Sequence, residues 1–209
     1  MEVHSNNIIQ KYFPKLSSNT LLKFKQLYYL HKDLNSRINL ISRKDIDNLY
    51  LHHILHSLSI TKFFSFNENS KILDIGTGGG FPGIPLAIFF PNSTFYLVDS
   101  IKKKIDAIKH ITEELELKNV ILCNDRAENI KNKFDFIMSR AVGKLDYLIN
   151  ISMPNINKSI SKSGGIISLK GGNITDELKN ITNHYKIYKI SDFFSESFFE
   201  NKFIIYIPV

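Results

Sequence analysis

The stretch KILDIGTGGGFPGIPLAIFF, residues 71–90, joins an apolar run to a glycine cluster and then to a second apolar run. Four of the chain's ten glycines lie in that cluster, at Gly76, Gly78, Gly79 and Gly80. Glycine permits positive φ and lets a ligand approach the bare backbone. The free N–H groups at the start of a following helix suit an anionic group. The stretch predicts a strand, a glycine loop that binds a ligand and a helix starting near Pro82, although a tight turn without a ligand is the alternative.

The spacing of apolar residues differs before and after residue 66. Residues 1–66 carry apolar side chains at helical spacing, with Asn19 as the candidate N-cap of the first long helix. We predict a helical extension over 1–66, packed on a single domain over 67–209.

Residues 67–209 alternate short β-rich runs with helical runs, which predicts a mostly parallel sheet with helices on both faces. The predicted strands are 71–75, 94–99, 119–123, 134–139 and 165–170. The predicted helices are near 83–90, 101–117, 144–153 and 174–183. The last two runs, YKIYKI and NKFIIYIPV, follow one another without a clear helix and predict an antiparallel end to the sheet. The fold class is therefore α/β, a Rossmann-like doubly wound sheet.

Charge and cysteine content narrow the function classes. A net charge of +7 suggests a polyanionic partner, RNA first among them, although lysine-rich codon usage is an equal explanation. The chain has one cysteine, Cys123, and no metal-binding spacing, so we expect no disulfide, no metal site and a reducing compartment, the cytoplasm. No run of about 18 apolar residues occurs, so we expect no membrane segment.

Three further features indicate which ligand the glycine loop takes. Gly76 and Gly78 match the dinucleotide pattern G-x-G-x-x-G, but its third glycine is replaced by Phe81. Asp99 ends the second predicted strand 23 residues after Gly76, where an acid can hold a ribose diol. Residues 125–128 follow the third strand and would border an adenine. These features predict an adenosine cofactor without a bound pyrophosphate, and S-adenosylmethionine fits best.

Five motifs occur in a known order: DIGTGGGFPGIPLAI, LVDSIKKKI, RAEN, FDFIMSRAV and GGIISLKGG. Together they resemble the RsmG family, also called glucose-inhibited division protein B. The resemblance implies a class I methyltransferase that uses S-adenosyl-L-methionine to modify N7 of a guanine in small-subunit (16S) ribosomal RNA. It further implies that the partner is this RNA or a ribosomal particle.

The resemblance also implies the residues that contact the cofactor, to which Asp99 is added from its place in the sheet. These residues are Gly76, Phe81, Ala127, Glu128 and Arg140. One motif departs from the family, because HILHSL carries His56 where the family often has an acid.

Methyl transfer to guanine N7 needs no strong general base, because N7 already carries a lone pair. Alignment and electrostatics are then the main requirements. We expect Arg140, after the fourth strand, to hold the methionine carboxylate or a substrate phosphate, a surface ion pair being the alternative. Phe81 either packs on the cofactor or belongs to the core.

Lys170 and a cluster of three histidines each have two interpretations. Lys170 either meets RNA phosphate or is an exposed lysine at a strand end. His52 and His56 have i, i+4 spacing and His53 lies between them, but no second cluster completes a metal site, so packing or RNA contact is favoured.

Three other functions are compatible with parts of this pattern. They are methylation of another RNA or of a small molecule, a nicotinamide-dependent dehydrogenase, and a non-catalytic RNA-binding protein of the same fold. The replacement of the third glycine by Phe81 argues against the dehydrogenase. A monomer is favoured.

Overall fold

The computed structural model describes residues 6–140, 142–158 and 164–209. Its centre is a seven-stranded sheet in the order β3-β2-β1-β4-β5-β7-β6. β7 runs antiparallel to both β5 and β6, whereas the other neighbouring strands are parallel. The strands are β1 (Lys71–Ile75), β2 (Thr94–Val98), β3 (Val120–Cys123), β4 (Phe136–Arg140), β5 (Gly165–Gly171), β6 (Lys186–Lys189) and β7 (Lys202–Pro208). The predicted doubly wound sheet with an antiparallel C-terminal strand is confirmed.

Helices cover both faces of the sheet. They are α1 (Asn7–Tyr12), α2 (Ser18–Asn35), α3 (His56–Leu58), α4 (Gly83–Phe89), α5 (Lys102–Glu114), α6 (Leu145–Ser152) and α7 (Thr175–Leu178). One apolar cluster joins α4, α5 and the N-terminal extension to one face, and a second joins α6 to the other. Within the described residues, no helix combines the length and the apolar character that crossing a bilayer requires.

Two local predictions about the helices were wrong. The N-cap of α2 is Ser17, whose Oγ accepts the N–H of Thr20 at 3.1 Å, so Asn19 lies inside the first turn. The last predicted helix, 174–183, is shortened to α7, because Asn180 and the polar residues after it compete for backbone hydrogen bonds and favour turns.

The segment from residue 43 to residue 62 is helical as expected, but its pitch changes along its length. A 3₁₀ turn (Arg43–Asn48) is followed by a π turn (Leu49–Leu55), by α3 and by a second 3₁₀ turn (Ser59–Lys62). π turns often occur at functional sites, and this one carries His52 and His53.

The extension contacts the glycine loop directly. A Cβ added to Gly79 would lie 3.1 Å from the carbonyl oxygen of Leu40 and 3.3 Å from the side chain of Ile41. His31, buried on α2, lies with Nε2 2.7 Å from the carbonyl oxygen of Gly79. Phe24 of α2 belongs to the same apolar cluster as strand residues of the sheet. These contacts support an extension packed on the domain, while the boundary at residue 66 stays a prediction.

Candidate functional site

The glycine loop lies between β1 and α4, where the order of strands reverses. Ligands bind at this switch point in open α/β sheets. Gly76, Gly78 and Gly80 have φ angles of +65°, +59° and +86°, which L side chains rarely adopt. Gly79 instead needs to be small because the extension packs against it. The four glycines thus meet two separate requirements, backbone conformation and close packing.

The buried carboxylate of Asp74, on β1, accepts hydrogen bonds from this loop and from the start of α4. Its Oδ2 accepts the hydroxyl of Thr77 at 2.7 Å and the N–H of Gly83 at 3.0 Å. Burial raises the pKa of Asp74 to about 7, although both hydrogen bonds favour the ionised form. The loop and the start of α4 therefore share one buried acceptor.

Asp99 follows β2 and lies 8% exposed beside the loop. Its Oδ2 accepts the N–H of Gly78 at 3.0 Å, and its Oδ1 accepts the N–H of Ile101 at 2.9 Å. A carboxylate has about four lone-pair positions, so both oxygens keep the capacity to accept a further hydroxyl. The predicted ribose-binding acid is oriented by the loop that would hold the rest of the ligand.

A cleft of about 340 Å³ opens at this point. Its lining includes Gly76, Asp99, Asp125, Arg126, Ala127, Glu128, Val142 and Tyr147. The structure therefore brings together four of the predicted cofactor residues: Gly76, Asp99, Ala127 and Glu128. Three carboxylates and one guanidinium line the cleft, so its charge is net negative.

Tyr147 is a cleft residue that the sequence reasoning missed. It lies on α6, is 44% exposed, and its hydroxyl donates to Oε1 of Glu128 at 2.6 Å. This hydrogen bond lowers the pKa of the Glu128 carboxyl and keeps it ionised. The only available signal was an aromatic residue soon after the fourth strand, which does not by itself indicate a ligand.

Phe81 is not part of the cleft lining. Its ring is 1% exposed and has its centroid 4.9 Å from that of His31 and 5.1 Å from that of His53. The guanidinium carbon of Arg140 lies 5.0 Å from the same ring centroid. The structure thus places Phe81 in the core, and its contact with a cofactor stays a prediction.

Arg140, the last residue of β4, lies outside the cleft lining and contacts the extension. Its Nη1 donates to the carbonyl oxygen of His52 at 3.1 Å, and its Nη2 lies 2.9 Å from Nδ1 of His53. Burial lowers the pKa of Arg140 to about 10, with Asp74 and Asp45 opposing the shift, so the side chain stays cationic at neutral pH. The alternative of a surface ion pair was wrong, and the role of Arg140 toward a ligand stays a prediction.

Lys170 is 9% exposed, so the alternative of an exposed lysine at a strand end was wrong. Its Nζ donates to the carbonyl oxygen of Gly143 at 2.8 Å and lies 2.8 Å from Oε2 of Glu177. The same carboxylate oxygen accepts the N–H of Leu145 at 3.2 Å. Lys170 therefore holds the segment after β4, the segment that brings Val142 to Gly76.

Two of the three histidines share one carboxylate, and the third packs against aromatic rings. Nδ1 of His52 and Nε2 of His53 each lie 2.6 Å from a carboxylate oxygen of Asp45. His56 is buried against Phe198 and Phe199, and burial holds its pKa well below the usual value. Over residues 6–140, 142–158 and 164–209, no group of three or more His, Cys, Asp or Glu side chains is arranged to hold a metal ion.

Solved structures of low sequence identity share this fold. A SAM-dependent methyltransferase from Aquifex aeolicus matches 87% of this chain and 98% of its own, with a TM-score of 0.57 at 16% identity. M. jannaschii TYW2 in complex with AdoMet matches 83% of this chain and 77% of its own, with a TM-score of 0.53 at 16% identity. These likenesses support the class I methyltransferase architecture.

Curated relatives are much more similar in sequence. The Ribosomal RNA small subunit methyltransferase G of Christiangramia forsetii is 49% identical over 97% of this chain and 96% of its own length. The protein of the same name from Phocaeicola vulgatus is 47% identical over 97% and 98%. The family model described as GidB, rRNA small subunit methyltransferase G, matches residues 20–204. The chain belongs to the rRNA small subunit methyltransferase G family.

Proposed function

We propose that this protein transfers a methyl group from S-adenosylmethionine to N7 of a guanine in small-subunit ribosomal RNA. Family membership supports the reaction and the class of substrate. The observation that carries the proposal in the structure is the acid-lined cleft at the switch point, with Asp99 held by the glycine loop.

The residues of the cleft fit this cofactor. Its volume of about 340 Å³ lies within the range of small-molecule sites. Asp99 would accept the ribose hydroxyls, and residues 125–128 would border the adenine. When bound, the cofactor would supply a methyl group activated by a positively charged sulfonium, and the net negative lining of the cleft would stabilise that charge.

The acceptor needs alignment more than proton removal. N7 of guanine already carries a lone pair, so its attack on the methyl group requires no general base. The positive charge passes from the sulfonium to the methylated guanine, so carboxylates nearby would accommodate a cation both before and after the transfer. Arg140 would act by positioning a carboxylate or a phosphate at the end of β4.

The RNA would approach across the extension, beside the glycine loop. Arg43 and Lys44 are exposed there, close in sequence to Leu40, whose carbonyl oxygen lies against Gly79. Cations at this place would contact phosphates and hold the target near the cleft. This supports ribosomal RNA or a ribosomal particle as the substrate. A monomer as the working unit and the cytoplasm as its location are part of the same proposal.

We expect the double substitution Arg43→Ala and Lys44→Ala to weaken RNA binding in a salt-dependent way. Removing two phosphate contacts should reduce the slope of log K against log salt by about 1–2, as measured by filter binding from low to moderate salt. The matched control replaces Lys109 and Lys179, exposed lysines that pair with Glu113 and Asp176. An unchanged slope in the test variant, or an equal fall in the control, would contradict this RNA path.

The reaction itself is tested by the position of the methyl mark. The protein is incubated with labelled cofactor and small-subunit RNA, or 30S particles, from a strain that lacks the endogenous enzyme. We expect one labelled guanine, carrying its methyl group at N7, as shown by chemical cleavage specific for 7-methylguanine. Label at another base or atom would overturn the substrate assignment, and label on neither RNA nor particles would favour a non-catalytic protein.

A further inference from the structure

The strongest unassigned feature is a chain of hydrogen bonds at the junction between the extension and the sheet. It runs from Asp45 through His53 to Arg140. Asp45 and His53 belong to the extension, whereas Arg140 ends β4 at the edge of the sheet where the cleft opens. Asp45 and Arg140 are therefore connected only through the tertiary structure.

The donors in this chain can be assigned from chemistry. A guanidinium has only donors, so Nδ1 of His53 must accept from Nη2 of Arg140 at 2.9 Å. The ring proton of neutral His53 then lies on Nε2 and is donated to Oδ2 of Asp45 at 2.6 Å. Burial, followed by the charge of Arg140, lowers the pKa of His53 to about 3, which keeps the ring neutral.

The rest of the surroundings hold Arg140 in the same orientation. Its other terminal nitrogen donates to the backbone of His52, and its guanidinium carbon lies 5.0 Å from the Phe81 ring centroid. Nδ1 of His52 donates to the second oxygen of Asp45 at 2.6 Å. The π turn allows both histidines to reach one carboxylate, because consecutive side chains diverge less in the wider turn.

We propose that Asp45 and His53 are positioning residues that set the tautomer and orientation needed to hold Arg140 for methyl transfer. Asp45 fixes the ring proton on Nε2, and the free Nδ1 then directs the guanidinium. This gives the extension a role in the reaction that is separate from RNA binding. The inference rests on the proposed function for its kinetic consequence but not for its hydrogen-bond pattern.

Three substitutions interrupt the hydrogen bonds between Asp45, His53 and Arg140. His53→Asn can keep an acceptor for Arg140 in the place of Nδ1, whereas His53→Gln can keep a donor for Asp45 but loses that acceptor. Asp45→Ala removes the acceptor of both histidines. Asp33→Asn is the matched control, because Asp33 is an exposed carboxylate on the same extension, paired with Arg37.

The first measurement is the tautomer of His53, from ring ¹⁵N shifts in the full-length protein. We expect an unprotonated Nδ1 and a protonated Nε2 in the unmodified protein and in Asp33→Asn, and a mixture of tautomers in Asp45→Ala. A proton on Nδ1 in the unmodified protein would overturn the proposal. This readout does not depend on whether ribosomal RNA is the substrate.

The second measurement is the rate of methyl transfer, with cofactor affinity determined in parallel. Misplacing Arg140 should lower kcat/KM by about 10- to 100-fold in Asp45→Ala and His53→Gln, and clearly less in His53→Asn and Asp33→Asn. If cofactor affinity falls in parallel with the rate, Arg140 holds the cofactor. If cofactor affinity stays constant, Arg140 positions the methyl acceptor. Both results support the proposal. Unchanged kcat/KM in folded Asp45→Ala, or equal losses in both His53 variants, would contradict it.

Discussion

Replacing Asp99 by Ala is expected to raise the dissociation constant for S-adenosylmethionine by about 30- to 700-fold, which corresponds to about 2–4 kcal/mol. The carboxylate is oriented by the N–H groups of Gly78 and Ile101, and Asp99 lines the cleft. Its removal would lose the proposed ribose contact and leaves two N–H groups without their acceptor. Isothermal titration calorimetry with the cofactor, and with its demethylated product, measures the effect.

Two companion variants separate binding from folding in this experiment. Asp99→Asn keeps one acceptor but sets an amide NH₂ against Gly78 or Ile101, so we expect a loss smaller than that of the Ala variant. Asp106→Ala removes an exposed carboxylate from α5 and should leave affinity unchanged. Nearly unaltered cofactor binding by a folded Asp99→Ala protein would show that the ribose is held elsewhere.

Replacing Gly76 by Ala is expected to disrupt both the loop and the cleft. The residue has a φ of +65°, and an added Cβ would collide with Cγ2 of Val142. The backbone conformation alone costs about 1–2 kcal/mol, and the collision displaces Val142, one wall of the cleft. We expect the free energy of unfolding to fall by about 2–4 kcal/mol and cofactor affinity to fall at least about tenfold, as measured by urea denaturation and calorimetry.

The two causes can be distinguished with glycines already in the chain. Gly172 has a φ of +78° and nothing within 4 Å of an added Cβ, so Gly172→Ala measures the conformational cost alone. Combining Gly76→Ala with Val142→Ala removes the collision and should restore part of the cofactor affinity. Equal effects of Gly76→Ala and Gly172→Ala on stability, with no rescue by Val142→Ala, would rule out the steric contribution.

The parts of the site that the sequence predicted are those set by local chemistry. Two such predictions were confirmed. Residues 71–90 form a strand, a glycine loop and a helix in that order, and Asp99 directly follows the second strand. The carboxyl ends of neighbouring parallel strands meet at one edge of a sheet, so Asp99 and residues 125–128 had to lie beside the loop. The motifs also indicated the family, which the comparisons confirmed.

The parts that the sequence did not predict depend on which distant side chains meet. Arg140 bonds to His53, 87 residues earlier, and Tyr147 reaches Glu128 from another element. Lys170 holds the segment after β4 instead of facing solvent.

By itself, the sequence determined the α/β architecture, the place of the glycine loop, the acid that follows the second strand beside it, and the family. Hydrophobic period, glycine placement and strand order are properties of short stretches, and they carry that information. Only the tertiary structure decided that Gly79 packs against the extension and that Arg140 is held through His53. The periodicity of apolar residues shows which face of an element is buried. It does not show which polar side chains that face contacts, because those contacts depend on how elements far apart in the chain pack together.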